Sequence, residues 1–303
     1  MKRVGFLFPG QGAQFVGMGR VLVESLPQAR QLFDQAREIL GYDLAQLCLE
    51  GPSDKLDSTV HSQPALFVTS LAALEFLRVN RPDYVAACGA VAGLSLGEFT
   101  ALTVAGVMDF ATGLRIVQRR GEAMQRAADM RPSGMVSVLG LPAEQVEQLC
   151  QEVVQPGEVL RVANYLCPGN TVVSGDRAAC QRLAEAAVAK GAMRTVPLAV
   201  AGAFHTELMA PAMEGLRQVL ESAELRPARI PVYANVDAQP HQDPEEIRQL
   251  LIRQLVSPVR WEASMRRMLA DGIEAFHEIG PGRVLSGLLK RIDRKIGCET
   301  IAC

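Results

Sequence analysis

The stretch VAGLSLGEFTALTVAG, Val91–Gly106, places a serine between two glycines at the point where an apolar run changes its periodicity. The residues from Val85 to Gly93 are mostly small or β-branched, as in a strand that is covered on both faces. After Ser95 the apolar positions follow a helical spacing to about Val104. A strand that turns sharply through a serine into a helix is the pattern of a nucleophile elbow. The same letters also occur in ordinary packing turns, but the flanking strand and helix favour the nucleophile.

The composition describes a globular protein with no dominant charge. The 303 residues are 49% hydrophobic, and 31 basic against 33 acidic residues give a formal charge of -2. A chain of this length can bury a sizeable core, and its charge argues against nucleic acid or a membrane surface as a partner. No apolar run approaches the ~20 residues of a membrane helix, and the N-terminus lacks a signal-peptide core. Seven scattered cysteines without a C-x-x-C pair predict a reducing cytoplasm and no structural zinc.

Strands and helices alternate through much of the chain. Val4 to Phe8 is predicted to be a buried strand that ends at the loop Pro9-Gly10-Gln11-Gly12. Helices are predicted for Pro27 to Leu40 and Pro64 to Leu77, each beginning at a proline, and for about Asp109 to Ala127. This alternation favours a mostly parallel sheet with helices on both sides.

The region from about 132 to 199 has a different order of elements. Its pattern predicts strand, helix, strand, strand, helix and strand, which is the order of a ferredoxin-like split βαβ unit. Further helices and strands of the first kind follow, at about 206–222, 230–234, 244–255 and 274–279. We therefore predict a large α/β-hydrolase-like catalytic domain formed by residues 1–130 and 200–303. Residues 131–199 are predicted to form a small ferredoxin-like domain inserted into it.

A serine nucleophile needs a base, since its hydroxyl is a poor nucleophile at neutral pH. The chain has four histidines. His241 lies in a polar loop and is predicted to be solvated, whereas His61 and His277 lie beside apolar runs and are predicted to be structural. His205 follows the return from the small domain at the start of a helix, and it is the best candidate.

Two further segments could serve the reaction. The loop Pro9–Gly12 lacks the third glycine of a dinucleotide fingerprint, because Phe15 occupies that position. It should lie near Ser95 at the top of the sheet, where it could add a main-chain donor to that of Leu96 for an oxyanion. Arg119 and Arg120 are adjacent on a helix, so one can face solvent and the other the interior. A buried arginine would suit a substrate carboxylate, although two solvated arginines are the alternative.

The chain resembles the malonyl-CoA:acyl carrier protein transacylases, the acyltransferases of fatty acid and polyketide synthesis. The resemblance covers nearly the whole length and rests on eight segments in the family's order: FPGQGAQ (8–14), SQPALF (62–67), GLSLGEFTAL (93–102), QRRGEAMQ (118–125), GAFHTELM (202–209), NVDA (235–238), RQLVSPVRW (253–261) and EIGPGRVLSGLLKRI (278–292).

The resemblance implies a role for each matching position. Ser95 would attack malonyl-CoA and carry the malonyl group, and His205 would act as base and then as acid. The remaining implied roles are as follows: Gln11 and Leu96 supply the oxyanion hole, Arg120 binds the malonyl carboxylate, Phe204 limits the size of the acyl group, and the main chain of Gln254 orients the histidine.

The family also implies the partners. The acceptor would be the phosphopantetheine thiol of acyl carrier protein in fatty acid biosynthesis, and the enzyme would need no cofactor or metal. We expect a cytoplasmic monomer. The alternatives are a polyketide-type malonyl acyltransferase acting in trans, a serine thioesterase or hydrolase, and a non-catalytic scaffold that binds the carrier protein. The basic residues near the C-terminus could form a docking patch or a solvated helix face. They are Arg283, Lys290, Arg291, Arg294 and Lys295.

Two positions depart from the family pattern. Leu94 stands where the family usually has histidine, and Leu166 stands where it often has a second asparagine. Neither position is the nucleophile, the base or the carboxylate-binding arginine, so we expect activity to be retained. We expect both leucines to change the polarity and ordered water of the pocket.

Overall fold

The computed structural model describes residues 3–301 and contains two β-sheets. Within this range the larger sheet is formed by β1 Val4–Phe8, β2 Cys88–Gly93, β7 Val232–Tyr233, β8 Pro240–His241, β9 Ala275–Ile279 and β10 Cys298–Ile301. The strand order is β10-β9-β1-β2-β7-β8. Neighbouring strands are parallel except for the antiparallel pair of β7 and β8. This mostly parallel sheet is the one that the strand–helix alternation predicts.

Helices cover both faces of the larger sheet. They are α1 Arg20–Ser25, α2 Pro27–Leu40, α3 Leu44–Glu50, α4 Ser53–Asp57, α5 Thr59–Asn80, α6 Pro82–Ala86, α7 Gly97–Val104, α8 Phe110–Asp129, α11 Ala210–Ser222, α12 Pro244–Gln254, α13 Trp261–Ala270 and α14 Val284–Ile292, with a 3₁₀ turn at Glu207–Met209. Alternate residues of β1 pack on opposite sides. Phe6 and Phe8 belong to the core with α2, α5, α8 and α11, whereas Leu7 packs with α13 and α14. Such double coverage explains why the strands read as continuous apolar runs.

The smaller sheet is antiparallel and is built from β3 Ser133–Leu139, β4 Leu160–Cys167, β5 Asn170–Asp176 and β6 Arg194–Pro197. Its order is β4-β5-β3-β6, and α9 Ala143–Val153 and α10 Arg177–Ala189 complete its own core. The order of elements and the strand pairing are those of a ferredoxin-like unit. The predicted fold class is therefore confirmed, whereas the domain boundaries at 130/131 and 199/200 stay predictions.

Three predicted elements have different limits in the structure. Helix α5 begins at Thr59, so Pro64 lies inside the helix and not in its first turn. Strand β2 begins at Cys88 because Pro82–Ala86 form the short helix α6. The helix predicted from Thr206 is a 3₁₀ turn followed by α11. Among residues 3–301, no helix is long and apolar enough to cross a membrane.

The turn after β2 depends on a glycine that allows two main-chain segments to approach. A Cβ on Gly93 would lie 1.9 Å from the carbonyl carbon of Gly97 and 2.4 Å from the nitrogen of Glu98. Both contacts are with main-chain atoms at the start of α7, which cannot move without shifting the helix.

We expect Gly93→Ala to lower the free energy of unfolding by about 3 kcal/mol, because overpacking against main chain forces a backbone shift. Chemical denaturation measures this change. Gly134→Ala is the matched control, since nothing lies within 4 Å of a Cβ on this other strand glycine, and its change should stay within about 0.5 kcal/mol. Equal stabilities of the two variants would contradict the steric argument.

Candidate active site

Ser95 lies on a strained turn between β2 and α7. Its φ is 50°, in the left-handed region that few residues other than glycine adopt. The preceding residue, Leu94, donates its N–H to the carbonyl of Phe8 over 3.0 Å, so the turn is attached to the end of β1. A strained backbone conformation of this kind persists only where surrounding contacts fix it, as they do at a nucleophile elbow.

Two amide side chains hold the main chain of Ser95. The Ser95 N–H donates to Oδ1 of Asn235 at 2.7 Å, and the Ser95 carbonyl accepts from Nε2 of Gln254 at 3.1 Å. Asn235 also donates from Nδ2 to the carbonyl of Gly93 at 2.8 Å. Sequence reasoning gave no role to Asn235. The only signal for it was its place in the NVDA segment, since its contacts lie 140 and 142 residues away along the chain.

The Ser95 hydroxyl and the His205 imidazole are in hydrogen-bond contact. Ser95 Oγ lies 2.9 Å from His205 Nε2, and His205 Nδ1 lies 2.8 Å from the carbonyl oxygen of Gln254. Because a carbonyl only accepts, Nδ1 carries the proton and Nε2 presents its lone pair to the hydroxyl. The arrangement can therefore remove a proton from Ser95 with a carbonyl, not a carboxylate, as the orienting group.

His205 is buried and kept neutral. Burial, followed by the positive charge of Arg120, lowers the pKa of His205 to about 4, although hydrogen bonds that the imidazole donates to the main chain oppose the shift. An imidazole with this pKa is unprotonated at neutral pH and is available as a base.

Arg120 is the buried member of the predicted arginine pair. It is 1% exposed, whereas the side chain of Arg119 is 62% exposed and pairs with Glu122. Arg120 Nη2 donates to Ser95 Oγ at 3.0 Å and to Gln254 Oε1 at 2.9 Å, and Nη1 donates to Gln63 Oε1 at 2.7 Å. Its Nε has no partner within residues 3–301. The guanidinium thus lies beside the hydroxyl with its Nε–H group unused.

The charge of Arg120 is poorly compensated. Burial lowers the pKa of Arg120 to about 10, and the nearby Glu98 opposes this shift. Burial in turn raises the pKa of Glu98 to about 7. Gln254 separates the two groups, donating to Glu98 Oε2 at 2.6 Å and accepting from Arg120. Arg120 remains protonated at neutral pH but has no carboxylate within 4 Å among the described residues, so it is suited to receive an anion.

The loop after β1 and the start of α7 meet beside Ser95. A Cβ on Gly10 would lie 2.3 Å from the carbonyl oxygen of Leu94, which shows how closely the two loops approach. The main-chain N–H groups of Gln11 and Leu96 donate no hydrogen bond to the described main chain, and both residues line the same cavity as Ser95. They are placed where two donors could face an oxyanion.

The cavity above Ser95 has a volume of about 220 Å³ and is mostly apolar. It lies between the two sheets, since residues of β3, β4 and β5 line it together with the elbow. Its apolar lining is Ala13, Leu94, Leu96, Met124, Met135, Leu166, Val172, Leu198, Val200, Phe204 and Val284. Both positions that depart from the family pattern, Leu94 and Leu166, are thus wall residues, and Phe204 adjoins the histidine.

The other histidines lie away from this site. His61 bonds to Ser58 and His277 stacks on Tyr84, in agreement with structural roles. His241 is only 16% exposed and contacts Asp237 and Glu246, so its prediction as a solvated side chain is wrong. In residues 3–301 no cluster of three His, Cys, Asp or Glu residues could hold a metal ion.

Comparisons with known proteins show the family to which the chain belongs. The sequence model of the acyl transferase domain matches residues 5–296, so the chain is an acyl transferase. It is 42% identical over 304 residues to the malonyl CoA-acyl carrier protein transacylase of Bacillus subtilis (strain 168), covering 100% of this chain and 93% of that protein. It is 46% identical over 295 residues to the mitochondrial malonyl-CoA-acyl carrier protein transacylase of Homo sapiens, covering 94% and 75%.

A solved structure is similar over almost the whole chain. It holds a type II PKS acyl-carrier protein in complex with its malonyl-transacylase, and it matches with a TM-score of 0.94 at 39% identity, covering 98% of this chain and 95% of that chain. The chain therefore belongs to the malonyl CoA-acyl carrier protein transacylase family, which confirms the resemblance drawn from the eight sequence segments.

The low pKa of His205 predicts a pH-dependent loss of stability. The unfolded histidine binds a proton below a pKa of about 6.5, whereas the folded one does so only near 4. Stability present above pH 6.5 is therefore lost as the pH falls toward 4. Between pH 7 and 5 this loss should be about 2 kcal/mol larger in the wild type than in His205→Asn. Denaturant unfolding at both pH values measures it. Because Glu98 titrates in both proteins, its contribution to the pH dependence cancels in this comparison. An equal loss in the two proteins would refute the assignment of the pH dependence to His205.

Proposed function

We propose that this protein transfers a malonyl group from malonyl-CoA to the phosphopantetheine thiol of an acyl carrier protein, through a malonyl ester on Ser95. One observation carries the proposal: Ser95 Oγ lies 2.9 Å from a neutral histidine and 3.0 Å from a buried arginine. The hydroxyl of Ser95 is therefore in contact with both a base, His205, and a cation that can bind a carboxylate, Arg120. The names of the relatives support the substrate and the acceptor.

In the first half-reaction His205 Nε2 takes the hydroxyl proton while Ser95 Oγ attacks the thioester carbonyl carbon. The carbon–sulfur bond then breaks, and the imidazolium returns the proton to the departing CoA thiolate. The Gln254 carbonyl accepts a hydrogen bond from the Nδ1–H group throughout, so it fixes the tautomer and stabilises the imidazolium. A carbonyl is sufficient for this orienting role, and the dyad needs no third acid.

The developing oxyanion would be held by the N–H groups of Gln11 and Leu96. Losing one such donor costs about 2.7 to 4 kcal/mol of transition-state stabilisation. Both groups stand at the same cavity wall and have no main-chain acceptor among the described residues. Leu96 is also the N-cap residue of helix α7, whose N-terminus favours negative charge.

Arg120 would bind the free carboxylate of the malonyl group. The Nε–Nη2 edge of a guanidinium is suited to bidentate carboxylate pairing, and in Arg120 this edge adjoins Ser95 Oγ and leaves Nε without a partner. An acyl group attached to Ser95 and ending in a carboxylate could satisfy both nitrogens. Phe204, beside His205 in the cavity wall, would limit branched acyl groups.

In the second half-reaction the thiol of the carrier protein replaces CoA. The thiol gives its proton to His205, its sulfur attacks the ester carbonyl, and Ser95 leaves with the proton from the imidazolium. Water competes for the same ester. The apolar walls of the cavity, including Leu94 and Leu166, would disfavour ordered water near the ester and so favour transfer.

Fatty acid biosynthesis is the proposed setting, and a polyketide-type transacylase is the second candidate. The structural neighbour that is bound to a type II PKS acyl-carrier protein supports the second candidate. Transfer rates to purified carrier proteins of both kinds would distinguish them, since the physiological acceptor should have the higher kcat/KM. The cytoplasmic location and the monomeric state also stay predictions.

Mixing the protein with malonyl-CoA should add one malonyl group to the intact mass. Ser95→Ala should show no adduct, because the hydroxyl that forms the ester is gone, and His205→Asn should acylate at least about 100-fold more slowly. Intact-protein mass spectrometry over time measures both. The absence of an adduct on the wild-type protein would reject the malonyl-serine intermediate.

Arg120→Met should reduce the preference for malonyl-CoA over acetyl-CoA by about 10- to 100-fold, because a charge-assisted pair with the carboxylate is lost. The ratio of the two acylation rate constants measures the preference. Arg119→Met is the matched control, since this neighbouring arginine is exposed and pairs with Glu122. A preference that survives in Arg120→Met would mean that another group binds the carboxylate.

A serine hydrolase is the alternative that the same dyad could support. Measuring CoA release with and without a saturating carrier protein separates the two activities. Transfer should exceed hydrolysis when the thiol acceptor is present, and dominant hydrolysis under that condition would favour the hydrolase.

A further inference from the structure

Glu98 is a buried carboxylate to which the mechanism above gives no task. It is the second residue of α7, three positions after Ser95, and it is 2% exposed. A charged side chain in such a place is costly unless it is satisfied by hydrogen bonds. Its partners therefore indicate what the carboxylate does.

One oxygen of Glu98 holds two segments that are distant in sequence. Oε2 accepts from Gln254 Nε2 at 2.6 Å and from the main-chain N–H of Asn235 at 3.1 Å. The same Gln254 nitrogen bonds to the Ser95 carbonyl, which only accepts, so the Gln254 amide must turn its NH₂ toward Ser95 and Glu98. Its Oε1 then faces Arg120, from which it accepts at 2.9 Å.

The same two partners fix the strained turn of the nucleophile. Gln254 Nε2 donates its second hydrogen bond to the carbonyl oxygen of Ser95, and Asn235 Oδ1 accepts a hydrogen bond from the Ser95 N–H. The peptide groups on both sides of the Ser95 Cα are thus held by the side chains of two residues that Glu98 holds in turn, Gln254 by its side chain and Asn235 by its main chain. A φ of 50° at a serine requires such support.

Gln254 also connects Glu98 to the proposed base, His205. Its main-chain carbonyl accepts from His205 Nδ1, and its side chain connects Glu98 with Arg120. Ser95, His205 and Arg120 are therefore each connected to the Glu98 carboxylate through a single intervening residue, Gln254.

We propose that Glu98 is a positioning residue that aligns Ser95, His205 and Arg120 through its hydrogen bonds to Gln254 and Asn235. The proposal rests on the proposed nucleophile and base, but not on the identity of the acyl group. Glu98 does not touch the substrate, so it is not a catalytic residue.

The variants Glu98→Gln and Glu98→Leu distinguish the effect of the hydrogen bonds of Glu98 from the effect of its charge. The amide oxygen of glutamine can accept both bonds that Oε2 now accepts, whereas leucine of similar size accepts neither. A fluorophosphonate probe, which labels an activated serine whatever acyl group it normally carries, reports the rate constant and the labelled fraction by intact mass.

We expect Glu98→Leu to label to full extent but on the order of 100-fold more slowly, since misplacing reacting groups by about 1 Å costs that much. Glu98→Gln should stay within about fivefold of the wild type. Asp176→Leu is the control: this buried carboxylate accepts the N–H of Val159 in the small sheet, so its loss should lower thermal stability and leave the labelling rate within about threefold.

Three results would overturn the proposal: a wild-type rate in Glu98→Leu, an unchanged rate with a smaller labelled fraction, or equal slowing in both variants. The second would mean that Glu98 only supports folding, and the third that its charge matters in place of its hydrogen bonds. Normal labelling of the wild type together with no malonyl adduct would reject the proposed substrate and leave this proposal intact.

Discussion

A guanidinium buried among neutral acceptors is the constraint that shapes the site. Arg120 is almost wholly buried, and its hydrogen bonds go to two amide oxygens and a hydroxyl. Burying a charge without a directly paired counter-ion is costly, so the folded protein holds unfavourable energy at this position. An incoming carboxylate would relieve it. In the proposed reaction the free enzyme is thus arranged for an anionic acyl group. Because a guanidinium only donates, Gln63 and Gln254 both present oxygens to the arginine.

The positive charge of Arg120 also acts on the base. Together with burial it lowers the pKa of His205, which keeps the imidazole neutral but makes an imidazolium harder to form. In the proposed reaction a malonyl carboxylate on Arg120 would cancel part of that charge just when His205 takes the proton from Ser95. An acetyl group brings no such compensation. Discrimination would then arise in the chemical step as well as in binding, because the substrate's own charge eases protonation of the base.

The sequence predicted what depends on local pattern. The periodicity change at Ser95 indicated the elbow, and the order of elements after residue 132 indicated the small sheet. Residues such as Glu98 and Asn235 were missed because their contacts join positions more than 130 residues apart, and no periodicity encodes such pairs. The start of α5 was misplaced since the proline rule for first helical turns ignores tertiary packing, which keeps Thr59–Asn80 helical around Pro64. The roles of the predicted site residues depend on chemistry and stay proposals.

The two leucines that depart from the family pattern occupy the wall of the cavity that contains Ser95, where the proposed ester would form. Leu94 precedes the nucleophile and packs toward the core of α13 and α14, and Leu166 contacts the cores on both sides of the larger sheet. Neither can hold a water molecule by a hydrogen bond, so a hydrolytic water would have few fixed partners at the cavity. A lower dielectric there also strengthens the pairing of Arg120 with an acyl carboxylate. Apolar residues at these positions are therefore compatible with the proposed mechanism, in which a transferase must protect its ester from water.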